Sequence, residues 1–171
     1  KFEPPERPAD GDALPAVAAF HRYTEIENIR NFPDVLRPGE EVVITEKVHG
    51  KNCRLGLVRV PGEGGETFEF MAGSNDVRRK DVDAKGRPSD FWRPMTEAVR
   101  ALLRHLGGAE RNIVLFGELY GSGVQDMAYG LGNGAKGFRA FDVAVDGKYL
   151  GFDEKAGLFA RFGVESVPHL D

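Results

Sequence analysis

One cysteine, Cys53, stands among the 171 residues, which excludes an internal disulfide framework and any metal site built on several thiolates. Nothing here asks for an oxidising compartment, and a cytoplasmic setting is the expectation. Also missing is any apolar run near the roughly 18 residues that a bilayer span requires, so no membrane partner is expected. Lys1 to Asp10 lacks the apolar core of a signal peptide and carries three prolines among charged residues, as a linker does. An excess of positive charge is lacking too. A formal net charge of -4 argues against a protein that coats nucleic acid non-specifically, because that task needs surplus Lys and Arg to displace counterions from phosphates. With 41% hydrophobic and 29% charged residues, what is left is one globular domain able to bury a core.

Positive charge is nonetheless concentrated locally. Arg78, Arg79, Lys80, Lys85, Arg87, Arg93, Arg100, Arg104 and Arg111 outnumber the acids around them. A run of this kind suits a phosphate-binding face or a merely solvated one, and its spacing does not decide between them.

Local signals outline the elements. Thr24 and Glu27 have the capping-box spacing, which predicts a short helix from Glu25 to about Asn31, ended by Pro33. Glu41 to Lys47 is β-branched in its middle and follows Pro38-Gly39; it is predicted to be a strand that delivers Lys47 and His49 to its end. Asn52 to Val60 sets Cys53, Leu55 and Leu57 against Asn52, Arg54 and Gly56 and reads as the next strand. The glycine-rich Pro61 to Gly65 is then a hairpin loop into Thr67 to Ala72. Apolar residues at 95, 98, 99, 102, 103 and 106 predict an amphipathic helix from Met95 to Leu106, stopped by Gly107-Gly108. Ile113 to Phe116 and Phe138 to Val145 read as buried strands, and Asp153 to Phe162 as a helix ending at Gly163. Hairpin-linked strands with helices between groups favour an α+β fold of mainly antiparallel sheets with flanking helices.

Two blocks carry chemistry. In Thr45-Glu46-Lys47-Val48-His49-Gly50-Lys51-Asn52, a lysine at a strand end is followed by His and by a Gly that lets the chain turn. That order suits a pocket lip, although an ordinary exposed lysine has the same spacing. The second block is Phe116-Gly117-Glu118-Leu119-Tyr120-Gly121, followed by Gly123-Val124-Gln125 and by Phe138-Arg139-Ala140-Phe141-Asp142-Val143. An acid at the end of an apolar run must find a partner, and a ribose hydroxyl or a metal is a natural one.

Lys47 to Gly50 (KVHG) resembles the K-x-[DH]-G motif of covalent nucleotidyltransferases, and the second block resembles motifs III and IIIa of RNA ligases, in the same order. EKVHGKNCR with FGELYGSGVQ is similar to the RNA ligase 2 family, which includes the trypanosome editing ligases. The HRYTEIENIRNFPDV segment looks most like the Deinococcus-type RNA ligases. The resemblance implies a nucleotidyltransferase (ATP-grasp-like) ligase fold. Residues 1–19 would be a linker and residues 20–171 the adenylation domain, with an oligonucleotide-binding domain ahead of it in the full-length protein. The chain would be incomplete at the C-terminus, because the E-G-[VF] and K-x-K motifs of the family have no match before Asp171.

What the resemblance implies for individual residues can be stated as chemistry. Lys47 would attack the α-phosphate of ATP to give lysyl-AMP, AMP would pass to an RNA 5′-phosphate, and a 3′-hydroxyl would seal the break, as in RNA repair. His49, where many relatives carry Asp, would assist catalysis or positioning. Glu46 and Val48 would offer backbone groups to adenine, Asn52 would reach the ribose or phosphate, Glu118 would hold the ribose hydroxyls, and Phe141 would stack on the base, with Phe138 facing the core. Met71-Ala72-Gly73-Ser74-Asn75 stands where the family carries a nucleotide-binding arginine, so that role passes to Arg78 or Arg79. Arg79, Lys80 and Arg87 would contact RNA. Mg2+ (or Mn2+) would be the metal, with no ligand assigned within the chain. The rivals are an ATP-dependent DNA ligase, a GTP-using capping enzyme, and a catalytically incomplete nucleotide- or RNA-binding module.

Overall fold

The computed structural model describes residues 11–83, 85–107 and 110–170. Among the described residues seven strands form one sheet: β1 Ala13–Leu14, β2 Lys51–Gly62, β3 Gly65–Ser74, β4 Arg78–Arg79, β5 Ile113–Gly121, β6 Lys136–Val145 and β7 Lys148–Tyr149. Their spatial order is β1-β4-β3-β2-β5-β6-β7, and neighbours in the sheet run antiparallel. Two helices, α1 Glu97–Gly107 and α2 Phe152–Phe162, complete the α+β fold expected from the sequence.

Alternation builds the core. Cys53, Leu55 and Leu57 of β2 meet Val99, Leu102, Leu103 and Leu106 of α1 on one face of the sheet. The other face is covered by the segment before β2, where Phe20 packs with Val58, Met71 and Phe116. Arg54 belongs to that second face. The sequence put it on the polar side of an alternating strand, whereas it is buried, with Nη1 donating to the Phe20 carbonyl at 2.6 Å and Nε to the Ser74 carbonyl at 2.7 Å. Burial lowers its pKa to about 10. At the end of α2, Gly163 takes the left-handed conformation (φ 68) while Val164 N–H donates to the Phe159 carbonyl, a glycine stop read correctly from sequence.

Two predicted elements are replaced. The helix from Glu25 to Asn31 is only a 3-10 turn, Ile29–Asn31, capped by Asn28 rather than Thr24. Thr24 N–H goes instead to Tyr149 Oη at 3.1 Å. Ile26 and Ile29 are 75% and 56% exposed, so a helix here would bury no apolar face, and one turn without tertiary packing does not hold. Glu41 to Lys47 is not a strand of the sheet. Its extended backbone pairs with the segment after α2: Thr45 bridges His169, Glu46 N–H donates to the Pro168 carbonyl at 2.9 Å, and Leu170 N–H donates to the Ile44 carbonyl at 3.0 Å. Of the stretch read as a linker, residues 1–10 lie outside the described residues, and Ala13–Leu14 forms β1. Gly108, part of the predicted stop after α1, also lies outside them.

Candidate active site

On the sheet face opposite α1 a cavity of about 810 Å3 opens between β2, β5, β6, the start of α2 and the segment Tyr23–Val48. Glu46, Lys47 and Val48 enter it from the segment ahead of β2, Asn52 from β2, Glu118 from β5 and Phe141 from β6. Asn52 and Glu118 are cross-strand partners, which places their side chains on one face next to each other. Phe141 stands at an irregularity in β6. Phe116 pairs with Asp142 and Gly117 with Ala140, so Phe141 is the extra residue of a β-bulge. The bulge lets Asp142 face the cavity beside Phe141, although the two are neighbours in sequence. Phe138, three residues earlier, packs with the α1 core as expected from alternation.

The lysine turn is tightly bound. Gly50 N–H donates to Glu118 Oε1 at 3.0 Å, His49 N–H donates to Tyr129 Oη at 2.6 Å, and Gln125 Nε2 donates to the Gly50 carbonyl at 3.3 Å. A Cβ at Gly50 would collide with the Leu119 carbonyl oxygen, which explains the glycine after the histidine. Val48 is buried between Tyr120 and Val167, and this contact leaves Lys47 exposed at the mouth of the cavity. Burial raises the Glu118 pKa, opposed by the Gly50 hydrogen bond and by the positive fields of Lys47 and His49.

One feature of the floor points to a polar ligand. Among the described residues Asn52 Oδ1 is buried without a hydrogen-bond partner, an unmet acceptor aimed into a cavity. Beside Phe141, Asp142 is fully engaged: Tyr23 Oη donates to Oδ2 at 2.9 Å, and Lys155 Nζ and Val143 N–H donate to Oδ1 at 3.1 and 3.0 Å. Tyr23 also meets the Phe141 ring edge-on, with centroids 4.9 Å apart. Tyr23, Asp142 and Lys155 were not singled out from the sequence. Asp142 belongs to the segment Phe138 to Val143 and Tyr23 to the segment ahead of Lys47, but no spacing rule ties either to Lys155.

Other sequence-predicted residues lie elsewhere. His49 does not line the cavity, and its backbone rather than its ring makes the fixed contact. Arg78 and Arg79 form β4 and do not line it either; Arg78 pairs with Glu69 at 3.3 Å and Arg79 with Asp12 at 2.5 Å. Arg87 pairs with Asp83 at 2.7 Å, while the Lys80 side chain is exposed. Among the described residues, no three His, Cys, Asp or Glu side chains gather as a metal cage.

Residues 40–171 match the RNA ligase family, a span that includes the lysine turn, Asn52, Glu118 and Phe141. The chain belongs to the RNA ligase family. Its fold is similar to that of Naegleria gruberi RNA ligase. A lysine-to-alanine variant of that protein, with ATP and Mn, superposes with a TM-score of 0.72 at 20% identity over 94% of this chain and 46% of that one. An arginine-to-alanine variant with ATP and Mn gives 0.71 at 21% identity, over 100% of this chain and 49% of that one. The same ligase with PPi gives 0.68 at 20% identity, again over 100% and 49%. This RNA ligase family member thus spans about half the length of the solved structures it matches. No curated protein matches the chain in sequence. No described helix is long and apolar enough to cross a membrane.

Proposed function

We propose that the chain is the adenylyltransferase part of an ATP-dependent RNA ligase, with Lys47 as the nucleophile. The observation that carries this reading is convergence. Glu46, Lys47, Val48, Asn52, Glu118 and Phe141, taken from separate segments of a sequence in the RNA ligase family, line one cavity whose floor holds an unmet Asn52 acceptor.

Lys47 Nζ, once deprotonated, attacks the α-phosphorus of ATP; the N–P bond forms as the bond to pyrophosphate breaks. AMP then passes to the 5′-phosphate of RNA and frees the lysine. Attack by a 3′-hydroxyl on the activated phosphate closes the phosphodiester and releases AMP. Phe141 stacks on adenine at a ring angle held by Tyr23. Glu46 N–H is already given to Pro168, so Glu46 can offer the adenine amino group its carbonyl, and Val48 supports the same edge. Asn52 Oδ1 accepts from a ribose hydroxyl, and so does Glu118 through the oxygen that Gly50 does not use. His49, the residue after the cavity-lining Val48, assists the strand-joining steps.

Mg2+ or Mn2+ would neutralise phosphate charge, but the described residues offer no cage of three ligands, and no step above depends on one. The basic stretch supplies the RNA contacts through Arg79, Lys80 and Arg87, and Arg78 and Arg79, which lie off the cavity, leave the nucleotide to the residues above. The single buried Cys53 supports a cytoplasmic setting, and the segment around Tyr23 supports kinship with Deinococcus-type ligases and, with it, an oligonucleotide-binding domain ahead of this one. The test is ATP labelled at its α-phosphate. A ligase passes label first to protein and then to 5′-phosphorylated RNA. Binding of ATP without transfer would reduce the protein to a nucleotide-binding module.

A further inference from the structure

Three successive peptide units behind Lys47 are each held by a side chain from one short stretch of chain. The unit joining Val48 to His49 gives its N–H to Tyr129 Oη, the next gives the Gly50 N–H to Glu118, and the third receives Gln125 at the Gly50 carbonyl. Glu118 ends its work in β5, whereas Gln125 and Tyr129 belong to the loop between β5 and β6. Tyr129 has a backbone φ of 49, the left-handed region that bulky side chains rarely enter. Such a conformation persists only where the surroundings enforce it, and it is concentrated at sites that need fixed geometry. The surroundings here are the His49 hydrogen bond and the edge-on contact of the Tyr129 and Tyr120 rings, 5.2 Å between centroids.

We propose that Tyr129 is a positioning residue for the Lys47 nucleophile: by accepting the His49 amide it fixes the turn that aims the lysine into the cavity. This inference rests on the ligase reading above. Tyr129 lines no part of the cavity, so its effect must pass through the turn rather than through contact with ATP. Loss of the hydroxyl should therefore slow the chemical step without weakening nucleotide binding.

The test is Tyr129→Phe in the full-length protein, which keeps the ring contacts and deletes only the acceptor, beside Tyr120→Phe as a neighbouring control. Expected for Tyr129→Phe are an unchanged melting temperature, at least tenfold faster hydrogen exchange at the His49 amide, and a tenfold or greater fall in the rate of lysyl-AMP formation at saturating ATP. The half-saturating ATP concentration should stay within twofold, and Tyr120→Phe should leave the rate alone. An unchanged His49 exchange rate, an unchanged adenylylation rate, or an equal loss in Tyr120→Phe would overturn the proposal while leaving the ligase reading in place. Absence of any adduct on the unsubstituted protein would instead defeat the ligase reading, and this inference with it.

Discussion

Glu118 and Gly50, 68 positions apart in the chain, are joined by a 3.0 Å hydrogen bond from the glycine amide to the carboxylate. Through this bond the glutamate that faces the cavity also fixes the turn that carries Lys47, so in the proposed function nucleotide binding and lysine placement share one side chain. The carboxylate is costly to hold there, because burial raises its pKa.

That cost has a sign. With the folded pKa above the unfolded one, the native state holds more protons than the unfolded chain between the two values, so stability falls as pH rises through that window. Glu118→Gln keeps an acceptor for Gly50 and removes the buried charge. Thermal melts should show the variant at least as stable as the parent near pH 7, with the difference vanishing as pH falls below the ordinary glutamate range. ATP use should drop by about tenfold, the worth of one strong hydrogen bond.

Gly50→Ala should be severe for a local reason. The added Cβ would meet the Leu119 carbonyl oxygen, a backbone atom that cannot move without disturbing β5. Overpacking of this kind costs about 1–3 kcal/mol, and the shifted turn should abolish adduct formation in whatever protein remains folded. Calorimetry and labelling on the same preparation check both parts.

Phe141 and Phe138 should separate function from stability. Phe138 packs with the α1 core, so Phe138→Ala should cost on the order of 3 kcal/mol of stability. Phe141→Ala should stay folded and lose about 1–3 kcal/mol in nucleotide use through lost stacking. Denaturant titration of both variants beside ATP binding decides it, and a reversed order of stability would place Phe141 in the core.

Much of this was legible in the sequence because the signals were local. The alternation of Cys53, Leu55 and Leu57, the helical spacing from Val99 to Leu106 and the glycine at 163 each act within a few residues. What escaped depends on distant partners. Val42, Val43 and Ile44 have the composition of a strand, yet the partner of this segment is the stretch Pro168–Leu170, and the three remain about half exposed. Arg54 read as a surface residue because no pattern reveals that Phe20 and Ser74 would offer it buried carbonyls. The bulge at Phe141 breaks the period of two, so Asp142 joins the cavity against the parity of its position. Tyr129 is invisible because the bond its hydroxyl accepts crosses 80 positions.

The basic stretch should act on RNA rather than on ATP. Arg79 and Arg87 are already ion-paired, with Asp12 and Asp83, so their replacement together with Lys80 by Gln should have a modest effect: a shallower dependence of RNA affinity on salt and weaker sealing, with lysyl-AMP formation little changed. RNA affinity over a salt series measures this. An unchanged slope would move the RNA to another face.

The central claim is that Lys47 carries AMP, and the most direct measurement is to incubate the full-length protein with ATP, digest it and map the adduct by mass spectrometry. A mass gain of one AMP on Lys47, absent in Lys47→Met, is the predicted result. AMP on Lys51 with Lys47 free, or no adduct at all, would contradict it.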